Sequence, residues 1–156
     1  MKTLKETIAE HPIFHGMRRE HLALLAERAK AGTFNSGETL FREGEPANEF
    51  YLIESGQIAL ETQAAADGTA TVQTLGPGDV LGWSWLFAPF VWHFRAVAVE
   101  PTSVVVLSGA HLLATSENNH DFGYELMKRV AQIVIRRLQA TRKQLLALHV
   151  ESLLND

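Results

Sequence analysis

The sequence predicts a mainly β fold flanked by helices, built as one domain over residues 1–156. Three observations predict it. Residues 32–108 are short runs of Phe, Val, Ile and Thr cut by Gly32, Gly37, Gly44, Gly56, Gly68, Gly76, Gly78 and Gly82, the pattern of an antiparallel sandwich or barrel. Residues 3–31 and 109–156 carry apolar side chains at helical spacing instead. A chain of 156 residues, 46% hydrophobic and 21% charged, is long enough for a single core.

The elements follow in order. Leu4 and Ile8, then Leu22, Leu25, Ala26 and Ala29, recur at helical spacing, and His11-Pro12 breaks the run because proline restricts its predecessor and lacks an N–H. The spacing predicts a short helix, a break around Pro12–Gly16 and a second helix from about Arg18 to Lys30. Phe50–Ile53 and Gln57–Thr62 read as a hairpin joined through Glu54-Ser55-Gly56, with Gly56 supplying positive φ. Ala64 to Thr69 reads as a solvent loop before the strand Val72–Leu75. Ala96–Val99 and Val104–Leu107 are the last strands, divided by a turn at Glu100-Pro101-Thr102.

Gly109–Thr115 reads as a short helix, and Asp121 to about Leu154 as one long helix with Asp121 as its N-cap. Along it Met127, Val130, Val134, Leu138, Thr141, Leu145 and Leu148 form a stripe at three- and four-residue spacing. That stripe fits pairing with a partner helix in a homodimer. A helix folded back across its own β-domain is the alternative; apolar residues persisting to Leu154 favour pairing.

Composition narrows the function classes. A net charge of −4 argues against a dedicated nucleic-acid binder. The chain has no cysteine, so disulfides and thiolate metal sites are out, which suits a cytoplasmic protein. The start, Met1-Lys2-Thr3-Leu4-Lys5-Glu6, has no apolar signal-peptide core, and runs such as Val104–Leu107 are too short to cross a bilayer, so no membrane is expected.

All three tryptophans, Trp83, Trp85 and Trp92, gather within ten residues, next to Gly76-Pro77-Gly78-Asp79 and Arg95-Ala96-Val97-Ala98. Aromatic residues concentrated in this way mark the segment where a small β-domain would keep a ligand pocket.

At this point the sequence resembles the cyclic-nucleotide-binding domain family, shared by catabolite-activator-type transcription factors, kinase regulatory subunits and gated channels. The resemblance runs over about residues 10–150. It rests on Phe14-x-Gly16 with Leu22 and Leu25, on Gly37-Glu38-Thr39-Leu40-Phe41-Arg42-Glu43-Gly44-Glu45-Pro46-Ala47, and on Phe50-Tyr51-Leu52-Ile53-Glu54-Ser55-Gly56. It continues through Leu75-Gly76-Pro77-Gly78-Asp79-Val80-Leu81-Gly82 to Ala98-Val99-Glu100-Pro101-Thr102. It implies a jelly-roll-like β-roll, a double-stranded β-helix, over residues 32–108. Helices would lie before it (3–31) and after it (109–156), the last a long dimerisation helix.

The resemblance also implies a cyclic nucleotide as ligand, and here the sequence departs from the pattern. Relatives that bind one place a glutamate after the glycine matched by Gly82, for the ribose hydroxyl. About ten residues later they place an arginine for the cyclic phosphate. Trp83 stands at the glutamate position. Registering on Glu100-Pro101 puts Trp92 at the arginine position, with His93 after it. Arg95 lies three residues late; it would reach an anion if the strand slips, and otherwise pairs with a surface carboxylate.

Two readings of the aromatic cluster stay open: side chains that fill the cavity, or a stacking box for another flat ligand. The groups that would orient a ligand are Ser84, His93, Arg95 and the backbone N–H groups of Gly82 to Ser84 at a helix N-terminus. Thr141 or Arg142 of the long helix would cap the pocket.

Other chemistry finds little support. None of the seven histidines has the His-x-His spacing of a cupin metal site, so no metal or catalytic residue is expected. No serine has a Gly-x-Ser-x-Gly context, and no phosphate-binding glycine loop is present. Transcription factors of the family append a helix-turn-helix after the long helix, and this chain stops at Asp156, so DNA binding is not expected. The basic cluster Arg136-Arg137 and Arg142-Lys143 reads as a solvated face or one that pairs with a protein partner. The expected function is a non-enzymatic sensor or regulatory module, dimeric through residues 122–154. Its alternatives are a ligand-free scaffold that docks on an enzyme or signalling partner and, remotely, a metal enzyme.

Overall fold

The computed structural model describes residues 2–63 and 68–155. Helix α1 (Leu4–Glu10) opens at Thr3, whose hydroxyl accepts the Glu6 N–H, and ends before Pro12. A single 3-10 turn, Pro12–Phe14, leads to α2 (Arg19–Ala26). The expected extension of this second helix to Lys30 is not made. Lys30 already opens strand β1 (Lys30–Phe34), paired with the last strand from Lys30↔Val106 to Phe34↔Thr102. Tertiary pairing here overrides the helix propensity of Glu27-Arg28-Ala29-Lys30.

The strands that follow are β2 (Thr39–Phe41), β3 (Glu49–Ser55), β4 (Ile58–Gln63), β5 (Thr69–Leu75), β6 (Val80–Leu81), β7 (Arg95–Ala98) and β8 (Thr102–Ser108). They form two antiparallel four-stranded sheets ordered β1-β8-β3-β6 and β2-β7-β4-β5, the jelly-roll-like β-roll that the sequence predicts. The expected β3–β4 hairpin is corrected by this order, since β3 and β4 belong to opposite sheets. Gly56, at φ +97, turns the chain from one sheet to the other, and a Cβ there would lie 2.6 Å from the Pro101 carbonyl oxygen. The true hairpin joins β4 to β5; of its expected solvent loop, residues 64–67 lie outside the described residues. Thr102, expected in a turn, is buried at the start of β8.

Helix α3 (Gly109–Asn118) is capped by Ser108 and runs past its expected end at Thr115. Helix α4 spans His120–Asn155. Its cap is not Asp121 but Asn119, whose Oδ1 accepts the Phe122 N–H at 3.1 Å. Asp121 stands in the first turn, where a carboxylate suits the positive end of the helix.

Two apolar clusters make the core. One joins the N-terminal helices, α3 and Phe122, Leu126, Val130 and Ile133 of α4 to Phe50, Leu52, Val105 and Leu107. The other fills the roll around Phe41, Ile53, Ile58, Leu60, Leu81 and Trp92. Continuing its buried face, α4 crosses β5: Gln73 Nε2 donates to the Arg137 carbonyl and to Thr141 Oγ1, both at 3.3 Å, and Gln144 Nε2 donates to the Val72 carbonyl at 2.9 Å. The folded-back alternative therefore describes α4 as far as Gln144.

This placement divides the expected dimer stripe. Val130 is 4% exposed within its own chain's core, and Met127 is half-buried against that core. Thr141 faces Gln73. Val134, Leu138, Leu145 and Leu148 are exposed, the last three by 63% or more. No described helix is long and apolar enough to cross a membrane.

Candidate functional site

The pocket region lies where β6 ends and the segment 82–94 crosses the mouth of the roll. Gly82 stands at φ +93, and a Cβ there would come within 2.5 Å of the Trp92 ring. Only glycine lets the indole lie this close to the backbone. Trp92 in turn stacks on Phe41, with ring centroids 3.8 Å apart and planes 10° from parallel. Tyr51 closes the other side at 6.4 Å. The indole thus occupies the interior of the roll, packed between residues of β2 and β3.

From above, Arg137 of α4 completes the closure. Its guanidinium lies 4.8 Å from the Trp83 ring centroid, a cation–π contact, and its Nη2 donates to the Val80 carbonyl. Burial pushes its pKa down to about 10, against the opposing pull of Asp79. The group stays charged at neutral pH. Asp79 is held by the Gly76 N–H, which donates to its Oδ2 at 2.9 Å. What remains is a cavity of about 50 Å³ among Phe41, Leu60, Gly82, Trp83, Ser84, Trp92, His93, Phe94 and Arg137. Small-molecule pockets begin near ~300 Å³.

Several expected pocket residues are placed elsewhere. Trp85 is buried in the helix-side core, packing on Phe50 with its Nε1 donating to the Gly82 carbonyl at 2.9 Å. Arg95 begins β7 and faces Glu61, its Nε 3.8 Å from Oε1, a charge contact too long for a hydrogen bond. It does not line the pocket. Residues 82–84 do not start a helix; the chain runs through turns, so the expected anion-binding helix end is not formed. Thr141 and Arg142 lie beyond the pocket, and the cap falls one helical turn earlier, on Arg137. That arginine, read from sequence as part of a basic exterior face, points inward.

A signal for Arg137 was present. Phe122, Leu126, Val130 and Ile133 define the buried face of α4, and steps of four and three continue it through Arg137, Thr141 and Gln144. An arginine on that line is aimed at the roll. Phe41 and Leu60 were missed because strand alternation alone does not say which inward side chains reach the mouth.

Among the described residues no group of histidines and carboxylates is arranged to hold a metal. The site offers stacking surfaces and one half-buried cation. That chemistry suits holding α4 against the roll.

Comparison with known proteins identifies the family and the fold. A sequence profile described as the cyclic nucleotide-binding domain matches residues 32–119. A CRP-like cAMP-activated global transcriptional regulator of Mycobacterium tuberculosis is 27% identical over 143 residues, 91% of this chain. The chain spans 62% of that regulator's length. Among solved structures, a putative cyclic nucleotide-binding protein from Geobacter metallireducens superposes with TM-score 0.77 at 30% identity, covering 88% of this chain and 99% of its own. A cyclic nucleotide-binding domain from Methylobacillus flagellatus, 22% identical, shares the fold with TM-score 0.81, covering 92% of this chain and 83% of its own.

Proposed function

The chain belongs to the cyclic nucleotide-binding domain family, and from that premise we propose that it is a non-enzymatic regulatory module that does not use cyclic AMP or cyclic GMP. One observation carries this reading. Trp92 and Arg137, both from this chain, occupy the roll and leave about 50 Å³, while the glutamate and arginine expected of a nucleotide binder are replaced by Trp83 and Trp92. The chain's own side chains make the link between roll and helix. Position of α4 is then set by the Arg137–Trp83 and Arg137–Val80 contacts, and any ligand would act by favouring an arrangement in which they are broken.

The module is read as a homodimer through the distal half of α4. A helix of 36 residues is about 54 Å long, and past Gln144 no described hydrogen bond ties it to the roll. Leu145, Leu146, Leu148, Val150, Leu153 and Leu154 are all more than half exposed, an apolar surface that a second copy of the same helix would cover.

Two measurements test the reading. Calorimetry and tryptophan emission with cyclic AMP and cyclic GMP should show no binding in the roll; saturable binding of either nucleotide that shifts the emission of Trp83 and Trp92, which line the cavity, overturns the closed pocket. Sedimentation equilibrium should give a dimer for the wild type and a monomer for Leu145→Glu. A wild-type monomer removes the dimer part of the reading and leaves the pocket part standing.

A further inference from the structure

We propose that the groove between the N-terminal helical segment and the first turns of α4 is a binding site for a small organic phosphate. This groove has a volume of about 520 Å³ and shares no lining residue with the closed cavity of the roll. It is large enough for a metabolite.

Its back wall is a hydrogen-bonded set of side chains around Glu125. His21, 4% exposed, has Nδ1 2.6 Å from Glu125 Oε1. Arg129 Nη2 donates to Glu125 Oε2 at 3.3 Å, and its Nη1 donates to the carbonyls of Ile13 at 2.8 Å and His15 at 3.0 Å. The Glu125 charge is thus spent on two neighbours and does not repel an incoming anion.

The rim is different. Arg18 and Lys128 have no ion-pair partner among the described residues, although the protein carries a net charge of −4. Lys128 Nζ stands 5.2 Å over the Tyr124 ring. Arg18, the N-cap residue of α2, and Lys128 of α4 thus line the groove from two different elements. Asp121, also on the rim, is offset by the N-terminus of its own helix.

Two cations without ion-pair partners, one on each wall, favour a dianion over a monocarboxylate. Tyr124 and Pro12 give the groove an apolar side for an organic group. A phosphate held by Arg18 on one wall and Lys128 on the other would tie the N-terminal segment to α4, the helix whose position the roll controls.

The test is calorimetry on the full chain with phenyl phosphate, inorganic phosphate and phenylacetate at about 0.15 M salt, where long-range attraction is screened. One saturable site per chain is expected, tighter for phenyl phosphate than for either comparator. Lys128→Gln and Arg18→Gln should each weaken it about tenfold or more, the loss of a charge-assisted contact. Arg142→Gln, an exposed cation of α4 outside the groove, should leave it unchanged, with thermal unfolding confirming that all variants are folded. Absence of saturable binding overturns the proposal. So does equal loss in Arg142→Gln and Lys128→Gln, or phenylacetate binding as tightly as phenyl phosphate. The dimer and the cyclic-nucleotide titrations are read separately, so this site can fail while the regulatory reading stands.

Discussion

The Trp92 indole lies flat on the Phe41 ring, 3.8 Å between centroids and 10° from parallel, inside the β-roll. Removing the indole should therefore cost the fold as a core truncation does. Trp92→Ala is expected to destabilise by about 3–5 kcal/mol, read from urea unfolding.

Gly82→Ala tests the same contact from the backbone. A methyl group at φ +93 within 2.5 Å of the indole must displace the ring. Destabilisation above about 1 kcal/mol is expected, with a change in tryptophan emission; a neutral outcome would show that the ring is free to move.

Arg137→Ala should loosen α4 without unfolding the roll. The Val80 carbonyl loses a charged donor and Trp83 its cation, a loss of about 1–3 kcal/mol. Hydrogen exchange should quicken along residues 134–144 and stay slow in β3 and β8. Uniform acceleration across all strands would argue against a local clamp.

His11 predicts a pH dependence. Its Nδ1 accepts the Ile13 N–H, its Nε2 is buried without a hydrogen-bond partner among the described residues, and burial holds its pKa below the ordinary 6.5. The unfolded chain then binds this proton more readily than the folded one. Stability is full above the ordinary value and falls as pH drops below it. Urea midpoints at about pH 7.5 and about pH 5.5 should differ in the wild type, and the difference should shrink in His11→Asn, whose amide oxygen can still accept from Ile13.

Glu125 has the opposite chemistry and the same direction. Burial pushes its carboxyl up, but hydrogen bonds from His21 and Arg129 outweigh this and hold the pKa below the ordinary 4.5. Its contribution is present above that value and lost as pH falls through the lowered one. Glu125→Gln should lower stability at neutral pH and flatten the acid limb of the stability curve.

Much of this arrangement is legible in the sequence, for reasons that also mark its limits. Glycine punctuation and β-rich runs locate the strands, because those signals are local. Pairing is not local: Glu54-Ser55-Gly56 announces a reversal of direction but not which sheet receives the next strand. Trp83, Ser84 and Trp92, singled out from the aromatic cluster and its polar neighbours, do line the cavity at the mouth of the roll. Trp85, two residues from Trp83, faces the other cluster, a difference set by turn geometry rather than composition. For α4 the expected stripe divides. Val134, Leu138, Leu145 and Leu148 face solvent, whereas Val130 and Thr141 of the same stripe lie with Ile133, Arg137 and Gln144 on the face that meets the roll. An arginine and a glutamine interrupt that inner line, so apolar spacing alone does not separate the two faces.

The pairing of β1 with β8 has a consequence for how the chain is made. Lys30–Phe34 is an edge strand whose sole neighbour in the sheet is Thr102–Ser108. During synthesis the first strand emerges and waits, unpaired, until nearly the whole roll has followed it. Contacts this distant in sequence close slowly, and an unpaired edge left exposed meanwhile invites association with other chains. Truncation before Thr102 would leave the nascent protein with its opening strand stranded, so the roll reaches its native topology late, when its eighth strand arrives.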